Sequence, residues 1–510
     1  MNKKRRLKYI PLRFIIAMLI TVFEIVAIIG VVLFACIKVP YFYAFALIIH
    51  FLCVVHLISS DDNPDYKVPW LVLIMGVPIV GFMLYFLFFS RKLKKRYIKR
   101  LKTIIDNTYE KNDSIEFDKL KGENVTAYNQ FKMLSRLSGA SLFTSTKTDY
   151  YGDINNLLSD LLIDLENAKS FIFLEFFIIE NGEFWNKVLN VLTKKVNSGV
   201  DVRVLYDDVG CMRALPGNYY KKLKDLGIKA ISFSRMKGGL DSEFNNRNHR
   251  KIIVIDGIVG YTGGFNIADE YINKKVRFGE WKDSGLRLYG EAVFELTKLF
   301  LIDYGLNDKE FTMPPKNAFN KHGDNKFYGY VMPFGDGPKP LYKRSVGKSV
   351  IQSLIASAER YVYITTPYLI IDNDLLTDIE NASLRGVEVK IAVPKIPDKK
   401  IIFQITKSSY NRLLSAGVKI YEFTPGFIHA KNYLVDGVYA LSGTINLDYR
   451  SLVHHFENGV LLYKTDCVKS IESDVNAVFF KSEQVHIETL KNGPIKRLII
   501  SLIKFFAPLM

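Results

Sequence analysis

Two stretches of the chain repeat one spacing of polar residues: "NHRKIIVIDGIVGYTGGFN" from Asn248 to Asn266 and "IHAKNYLVDGVYALSGTIN" from Ile428 to Asn446. Each holds a histidine, one residue, a lysine, four residues and an aspartate, followed by a glycine and an asparagine. Every matched residue lies 180 positions from its counterpart. The matched pairs are His249 and His429, Lys251 and Lys431, Asp256 and Asp436, Gly263 and Gly443, and Asn266 and Asn446. The repeat predicts a duplicated unit.

The sequence before each copy alternates helical and strand patterns in the same order. In the first half "INNLLSDLLIDLENAKS" precedes "FIFLEFFII", and "FWNKVLNVLTKKVNSG" precedes "VDVRVLYDD". In the second half "VGKSVIQSLIASAER" precedes "YVYITTPYLII", and "LLTDIENASLRG" precedes "VEVKIAVPK". This order predicts an α/β fold made of two similar halves, with largely parallel and buried strands.

Changes in composition divide the 510-residue chain into six predicted segments. They are a membrane anchor at 1–100, a connector at 101–134, a first half at 135–306, a linker rich in Pro, Gly and Asn at 307–340, a second half at 341–485, and an amphipathic C-terminal helix at 486–510. The last helix either lies on the bilayer surface or packs on its own domain.

Three apolar stretches near the N-terminus, Phe14–Cys36, Tyr41–Ile58 and Val68–Phe89, approach the ~20 residues that cross a bilayer. They predict a multi-pass protein of the cell membrane with two or three transmembrane helices. The basic clusters "MNKKRRLK" and "RKLKKRYIKRLK" flank this region, and both favour the cytoplasm, which requires an even number of crossings. Since three stretches give an odd number, either one of them, such as the second, is re-entrant or interfacial, or the first two form a hairpin.

The net charge of +17 is compatible with an anionic lipid surface and with nucleic acid, so charge alone selects neither partner. Four cysteines without paired spacing argue against a disulfide framework or a zinc site.

The repeated element has side-chain directions that follow from β-strand alternation. Each histidine and the lysine two residues later point the same way, whereas the aspartate seven residues after the histidine faces oppositely. Asp256 and Asp436 are therefore predicted to hold the following turn rather than touch a substrate. Gly263 and Gly443 are expected where backbones approach closely, and Asn266 and Asn446 are expected to offer amide donors.

This set of residues suits chemistry on a phosphodiester. Two lysines and two carboxamides supply a preorganised positive field for the phosphoryl oxygens. One neutral imidazole can attack phosphorus, and a second, protonated imidazole can donate to the leaving alcohol. We expect neither a metal nor another cofactor, because the lysines supply the charge that a metal would bring.

Each histidine also needs a partner that fixes its tautomer. An acid precedes a glycine and an apolar run after both motifs, in "DSGLRL" and "ENGVLL". Asp283 and Glu457 are the candidates for orienting His249 and His429. Three other histidines of the polar region, His322, His454 and His455, are predicted to be solvated or structural.

The paired elements resemble the two HxKx4D motifs of the phospholipase D superfamily and, with the hydrophobic N-terminus, bacterial cardiolipin synthases. A single copy would be a weak signal, whereas two matched copies are strong. The resemblance implies transfer of a phosphatidyl group between two phosphatidylglycerol molecules at one site between the halves. It implies that His249 is the nucleophile and His429 the general acid and base, with phosphate held by Lys251, Lys431, Asn266 and Asn446. Thr444 departs from the Ser or Gly of many members but keeps a hydroxyl.

Two other functions remain open. The same chemistry on water or nucleic acid would make the chain a phospholipase or a membrane-tethered nuclease. Nucleic acid is not expected, because the sequence lacks an interleaved aromatic and basic platform. A membrane scaffold is the non-enzymatic alternative, and intact motifs argue against it. The oligomeric state is left open.

Overall fold

The structure is a computed structural model that describes residues 12–88, 99–101, 103–104, 113–235, 246–308, 311, 327–339, 341–490 and 493–509. The first basic cluster, most of the second, most of the predicted linker and His322 lie outside these ranges.

The N-terminal region forms four helices, α1 (Leu12–Lys38), α2 (Pro40–Ser59), α3 (Pro64–Gly76) and α4 (Pro78–Phe88). Two segments, Ile15–Lys38 in α1 and Tyr41–Ser59 in α2, are long and apolar enough to cross a membrane. The third predicted stretch is broken between α3 and α4, where Pro78 begins a new helix. At about 1.5 Å per residue, neither piece reaches across a hydrocarbon core of about 30 Å.

This break bears on the conflict over the number of crossings. The second stretch, suggested as the re-entrant one, is a continuous helix, whereas the third is divided between α3 and α4 within the described residues. The start of α3 packs against the rest of the protein, because the Asp65 carboxylate accepts a hydrogen bond of 2.8 Å from the Asn373 N–H. Two candidate spans agree with two cytoplasmic flanks.

The first half is built on a seven-stranded sheet in the order β1-β8-β6-β5-β2-β3-β4. Its strands are β1 (Thr146–Tyr151), β2 (Phe171–Phe176), β3 (Asp201–Asp207), β4 (Lys229–Phe233), β5 (Ile252–Ile255), β6 (Val259–Gly263) and β8 (Gly285–Gly290), with the short β7 (Glu280–Lys282) outside the sheet. Its helices are α7 (Ile154–Glu166), α8 (Glu183–Asn197), α9 (Tyr219–Asp225) and α10 (Val293–Asn307).

The second half is built on an eight-stranded sheet in the order β19-β13-β12-β10-β15-β16-β18-β9. Its strands are β9 (Tyr330–Asp336), β10 (Tyr361–Thr365), β12 (Glu388–Pro394), β13 (Lys419–Phe423), β15 (Asn432–Val435), β16 (Tyr439–Gly443), β18 (Glu457–Tyr463) and β19 (Ser482–Gln484), with β11 (Leu369–Ile370), β14 (Gly426–Ile428) and β17 (Leu447–Asp448) outside the sheet. Its helices are α11 (Val346–Ser357), α12 (Asn373–Leu384), α13 (Lys400–Ser408), α14 (Tyr410–Ser415) and α15 (Asp466–Phe480).

Both sheets are mixed, which corrects the expectation of largely parallel strands. Strands β2, β3 and β4 are parallel to one another, as are β10, β12 and β13. The motif strands instead form antiparallel hairpins, β5 with β6 and β15 with β16. The reason is the short Asp-Gly turn inside each motif, which reverses the chain and leaves no room for a crossover helix.

One apolar core joins the halves. It contains side chains of both sheets together with α10 and α15, among them Phe173, Val254, Leu434, Val460 and Ile471. Helices α7 and α8 cover the outer face of the first sheet, and α11 and α12 cover the outer face of the second. The result is a layered body in which the two sheets lie on either side of a shared centre.

Two predicted boundaries do not match this body. The connector forms α5 (Ser114–Glu123) and α6 (Val125–Ser138), whose apolar side chains belong to the core of the second half. The predicted linker 307–340 contains β9, which is buried along its whole length and pairs with β18.

The C-terminal helix α16 (Pro494–Phe506) uses different faces for packing and exposure. Ile503 and the following Ala507 pack beside Ile370 and Ile405. The predicted apolar face stays exposed, and its residues are Ile495, Leu498, Ile499, Leu502 and Phe506. The helix therefore rests on its domain and still presents an apolar surface.

Candidate active site

The two motif histidines come together because each half pairs with the other. Asn248 forms an isolated parallel β-bridge with Phe456, and the His249 N–H donates to the Phe456 carbonyl at 2.9 Å. Reciprocally, β14 runs parallel to β7, and the His429 N–H donates to the Lys282 carbonyl at 2.7 Å. Each histidine segment thus lies beside the acid-bearing segment of the opposite half.

His249 is oriented by Glu457 of the second half. Its Nδ1 lies 2.9 Å from each carboxylate oxygen of the fully buried Glu457. The Ser451 hydroxyl donates to the same carboxylate at 2.7 Å, and the Thr444 hydroxyl donates to its other oxygen. With Nδ1 bonded to a carboxylate, Nε2 is the nitrogen left with a lone pair for attack.

The charges of this pair follow from burial and contact. Burial lowers the pKa of His249 to about 3, although the Glu457 carboxylate opposes the shift. Burial works against ionisation of Glu457, but contact with His249 outweighs it and holds the pKa of Glu457 well below its ordinary value. A neutral imidazole beside an ionised carboxylate is the form that a nucleophile requires.

His429 is oriented by Asp283 of the first half. Its Nδ1 lies 2.7 Å from the Asp283 carboxylate and 2.8 Å from the Lys431 ammonium. The nitrogen cannot donate to the carboxylate and accept from the ammonium at the same time, so these contacts belong to different tautomers. Burial raises the pKa of Asp283 to about 7, against the opposing charge of Lys431, and burial with Lys431 lowers the pKa of His429 well below its ordinary value.

The two lysines are fully buried beside their own histidines, as the strand alternation predicted. Lys251 donates to the His249 carbonyl at 2.6 Å, and Lys431 donates to the His429 carbonyl. Burial lowers the pKa of Lys251 to about 7 and that of Lys431 to about 8, although Glu457 and Asp283 favour their protonated forms. Two cations held without full compensation form a site for an anion.

The orienting carboxylates are arranged crosswise. Asp283 follows the His249 motif in sequence but bonds His429, and Glu457 follows the His429 motif but bonds His249. The sequence left this pairing open, because chain order does not reveal that the halves exchange these segments. A single site between the halves follows from this exchange.

The motif aspartates lie away from the histidines. The Asp256 carboxylate accepts hydrogen bonds of 2.7–2.9 Å from the N–H groups of residues 169, 170 and 171. The Asp436 carboxylate accepts bonds of 2.8–2.9 Å from residues 359, 360 and 361. Each aspartate therefore holds the start of a neighbouring strand, β2 or β10, and not the following turn that the sequence predicted.

The glycines and asparagines of the motifs follow these turns. A Cβ at Gly263 would collide with the Ser284 carbonyl, and one at Gly443 would collide with the Asn458 carbonyl, as expected for close backbone approach. The Asn266 amide donates at 2.6 Å to the hydroxyl of Tyr271, whose ring packs edge-on against His429. The amide oxygen of Asn446 is buried without a hydrogen-bond partner among the described residues.

Sequence reasoning missed several neighbours of the histidines. His455, expected to be solvated or structural, is buried with its ring 5.5 Å from that of His249. Aromatic side chains surround His429, with Trp281 at 5.5 Å and Phe427 at 5.9 Å between ring centroids. The position of His455 two residues before Glu457 was the available signal, since Trp281 stands two residues before Asp283.

Comparisons with known proteins identify the family of the chain. The family described as "Cardiolipin synthase, PLD-like domain" matches residues 161–276 and 351–479, and the family "Phospholipase D-nuclease N-terminal" matches residues 48–88. A cardiolipin synthase of Geobacillus sp. (strain WCH70) is 34% identical over 465 residues, covering 88% of this chain and 90% of that protein.

Two further comparisons concern the whole chain and the fold. A cardiolipin synthase of Alkalihalophilus pseudofirmus is 35% identical, covering 88% of this chain and 90% of that protein. The crystal structure of phosphatidylserine synthase from Haemophilus influenzae superposes with a TM-score of 0.57 at 16% identity, covering 75% of this chain and 100% of that one, which shows a shared fold. The chain belongs to the cardiolipin synthase family of phospholipase D-like proteins.

Proposed function

We propose that the chain is a membrane phosphatidyltransferase that converts two phosphatidylglycerol molecules into cardiolipin and glycerol. One observation carries the proposal. The crosswise pairing of each histidine with the carboxylate of the opposite half assembles two imidazoles, two buried lysines and two carboxylates at one point. A site of that composition can perform two successive substitutions at phosphorus without a metal.

In the first step Nε2 of His249 attacks the phosphorus of one phosphatidylglycerol. A P–N bond forms as the P–O bond to the head-group glycerol breaks, and the imidazolium of His429 gives its proton to the leaving oxygen. The product is a phosphatidyl group on His249 and free glycerol. Glu457 supports the step, because its negative charge stabilises the positive charge that develops on the attacked imidazole.

In the second step a glycerol hydroxyl of another phosphatidylglycerol enters where the first glycerol left. His429, now neutral, takes the hydroxyl proton, the oxygen attacks phosphorus, and the P–N bond to His249 breaks. Cardiolipin leaves, and His429 is again protonated for the next cycle. One general acid and base serves both steps because leaving and entering alcohols use the same position.

The substrate itself brings His429 into its acidic form. A bound phosphodiester adds one negative charge, which favours protonation of a nearby imidazole. Lys251 and Lys431, with the amides of Asn266 and Asn446, are proposed to hold the phosphoryl oxygens.

The membrane region supports a lipid substrate. Two candidate spans, with flanking basic clusters that favour the cytoplasm, support catalytic halves on the cytoplasmic side of the cell membrane. The exposed apolar face of α16 would then lie in the interface of the inner leaflet, where phosphatidylglycerol and other anionic phospholipids are partners. Protection of a protease site added in the turn at residues 226–228, after α9, from protease outside intact cells would support this sidedness, and cleavage there would contradict it.

The experiment for the proposed reaction uses purified protein in vesicles that contain labelled phosphatidylglycerol as the only lipid, with His249→Ala beside it. Cardiolipin and glycerol from the wild type alone would support the synthase. Phosphatidic acid would identify water as the acceptor and the chain as a hydrolase. Equal product from both proteins would contradict the assignment of His249, and no product from either would contradict the proposed substrate.

A further inference from the structure

His455 is a buried imidazole that the proposed reaction does not use. It is 8% exposed, and neither of its ring nitrogens has a hydrogen-bond partner among the described residues. Its Nδ1 lies 3.7 Å from Glu457, too far for a hydrogen bond. Leaving both nitrogens of a buried imidazole unpaired is costly, so this side chain is a candidate for binding something else.

Three ligand atoms of metal-binding type converge at this point. They come from His249, His455 and Glu457, and they lie within 4.8 Å of one another. Nδ1 of His249 is 2.9 Å and Nδ1 of His455 is 3.7 Å from the same carboxylate oxygen. A tetrahedral zinc ion with bonds of about 2.0–2.2 Å places its ligand atoms about 3.3 Å apart, between these two distances.

We propose that His249, His455 and Glu457 form an inhibitory site for a divalent transition-metal ion such as Zn²⁺. Two imidazoles and one carboxylate, with water in the fourth position, are a known zinc ligand set. The ion would take the place of the proton between Nδ1 of His249 and Glu457. The inhibition, though not the binding, rests on the proposed role of His249 as nucleophile.

Inhibition follows from the chemistry of the imidazole ring. A neutral imidazole carries one N–H, and when a metal occupies Nδ1 the hydrogen stands on Nε2. Nε2 then has no lone pair for attack on phosphorus. The metal-free protein is therefore the active form, and the ion stops the reaction before the phosphohistidine is made.

The environment of His429 offers a natural contrast. Nδ1 of His429 faces the Lys431 ammonium at 2.8 Å, which repels a cation. The residue two positions before its carboxylate partner is Trp281, whose indole cannot ligate a metal. Among the described residues, the metal-ligand set therefore occurs beside His249 and not beside His429.

Binding is tested first with Co²⁺, which reports tetrahedral coordination by visible absorption, and with Zn²⁺ competing for it. Wild type, His455→Asn and the control His454→Asn are purified as full chains in detergent and freed of metal. We expect the tetrahedral spectrum in wild type and His454→Asn, its loss with Zn²⁺, and none in His455→Asn. An identical spectrum in His455→Asn, or none in the wild type, would overturn the site.

Inhibition is tested on cardiolipin formation, with each variant expressed relative to its own metal-free activity. We expect the Zn²⁺ concentration that halves activity to rise about 10-fold or more in His455→Asn, because a ligand is lost, and not in His454→Asn. Mg²⁺, which prefers oxygen ligands, should not inhibit. Equal inhibition of wild type and His455→Asn would contradict the mechanism and point to zinc binding by the anionic lipid. If the chain makes no cardiolipin, the proposed reaction fails while the Co²⁺ spectra still decide the site.

Discussion

The same motif stands in two different environments in the two halves. His249 faces an ionised carboxylate that two hydroxyl groups also hold, and its partner's pKa lies well below the ordinary value. His429 faces a carboxylate whose pKa is about 7, and it shares Nδ1 with the Lys431 ammonium. The duplicated residues are identical, so the difference comes from the carboxylate that each half receives from the other and from the contact of Lys431 with Nδ1 of His429. Duplication supplied the parts, and the crosswise interface gave them distinct chemistry.

Replacing the histidines should have the largest effect, and it tests directly whether the two halves have different roles. His249→Ala and His429→Ala should each lower turnover about 10⁴-fold or more. Residues that act as one catalytic unit are non-additive, so the loss of either one removes nearly the whole rate enhancement of the unit. The two variants should differ in the covalent intermediate. The His429→Ala protein should slowly accumulate a labelled phosphatidyl group, and the His249→Ala protein should carry none. Gel analysis after a quench with SDS at neutral pH, which preserves the acid-labile P–N bond, measures it with phosphatidylglycerol labelled in its phosphatidyl group. Label on the His249→Ala protein alone would mean that His429 is the nucleophile and His249 the general acid and base.

Replacing the orienting carboxylates tests whether the environments of His249 and His429 differ. Glu457→Gln should lower kcat about 10³–10⁴-fold, because the tautomer of His249 and its positive charge lose their support. Asp283→Asn should cost about 10²-fold or less, because a carboxyl with pKa near 7 is already half protonated at neutral pH. Initial rates at saturating phosphatidylglycerol measure both. Equal losses would mean that the two carboxylates act alike.

Alkaline pH should act on the lysines that the two environments share. Their pKa values of about 7 and 8 mean that the protonated forms are lost as pH rises through 7 to 9, well below the ordinary 10.5. Binding of the phosphodiester requires a lysine to regain one proton. The KM for phosphatidylglycerol should therefore rise about 10-fold per pH unit above the higher of the two pKa values. Steady-state kinetics in vesicles of fixed composition measure it. A KM that stays constant to pH 10 would show that the lysines keep their protons.

The motif aspartates should affect stability more than chemistry. Asp256→Asn and Asp436→Asn should each lower the free energy of unfolding by about 2 kcal/mol, because one carbonyl oxygen replaces a carboxylate that serves three N–H donors. Asp118→Asn, on exposed α5 surface, is the control. Thermal denaturation and turnover per folded molecule measure the two effects. Retained stability with abolished turnover would assign these aspartates to catalysis.

Removing metal ions should have the smallest effect. EDTA is expected to leave cardiolipin formation unchanged, or to raise it where trace zinc is present, because the lysines balance the phosphate charge. Assays with and without chelator on dialysed protein measure it. Loss of activity that Mg²⁺ restores would contradict the lysine-based charge balance.

The elements of the catalytic halves were predictable because their signals are local. Apolar spacing located α7 and α8, and continuous apolar runs located β2 and β3. The mixed sheet was missed, because periodicity reports that a strand is buried and says nothing about the direction of its neighbour. The break between α3 and α4 was missed for a related reason, since hydropathy averaged over a window does not register a single proline.

The sequence by itself determined which residues are proposed to carry the chemistry. Histidine and lysine at fixed offsets, written twice, predict a nucleophile, an acid and two phosphate-binding cations, and strand alternation predicts which side chains share a face. Only the tertiary structure decided the partners. Glu457 contacts His249, Asp283 contacts His429, and His455 lies beside His249, because the two sheets pack across one core and exchange segments more than 140 residues apart. Contacts between distant segments depend on how whole layers pack, and no local pattern encodes them.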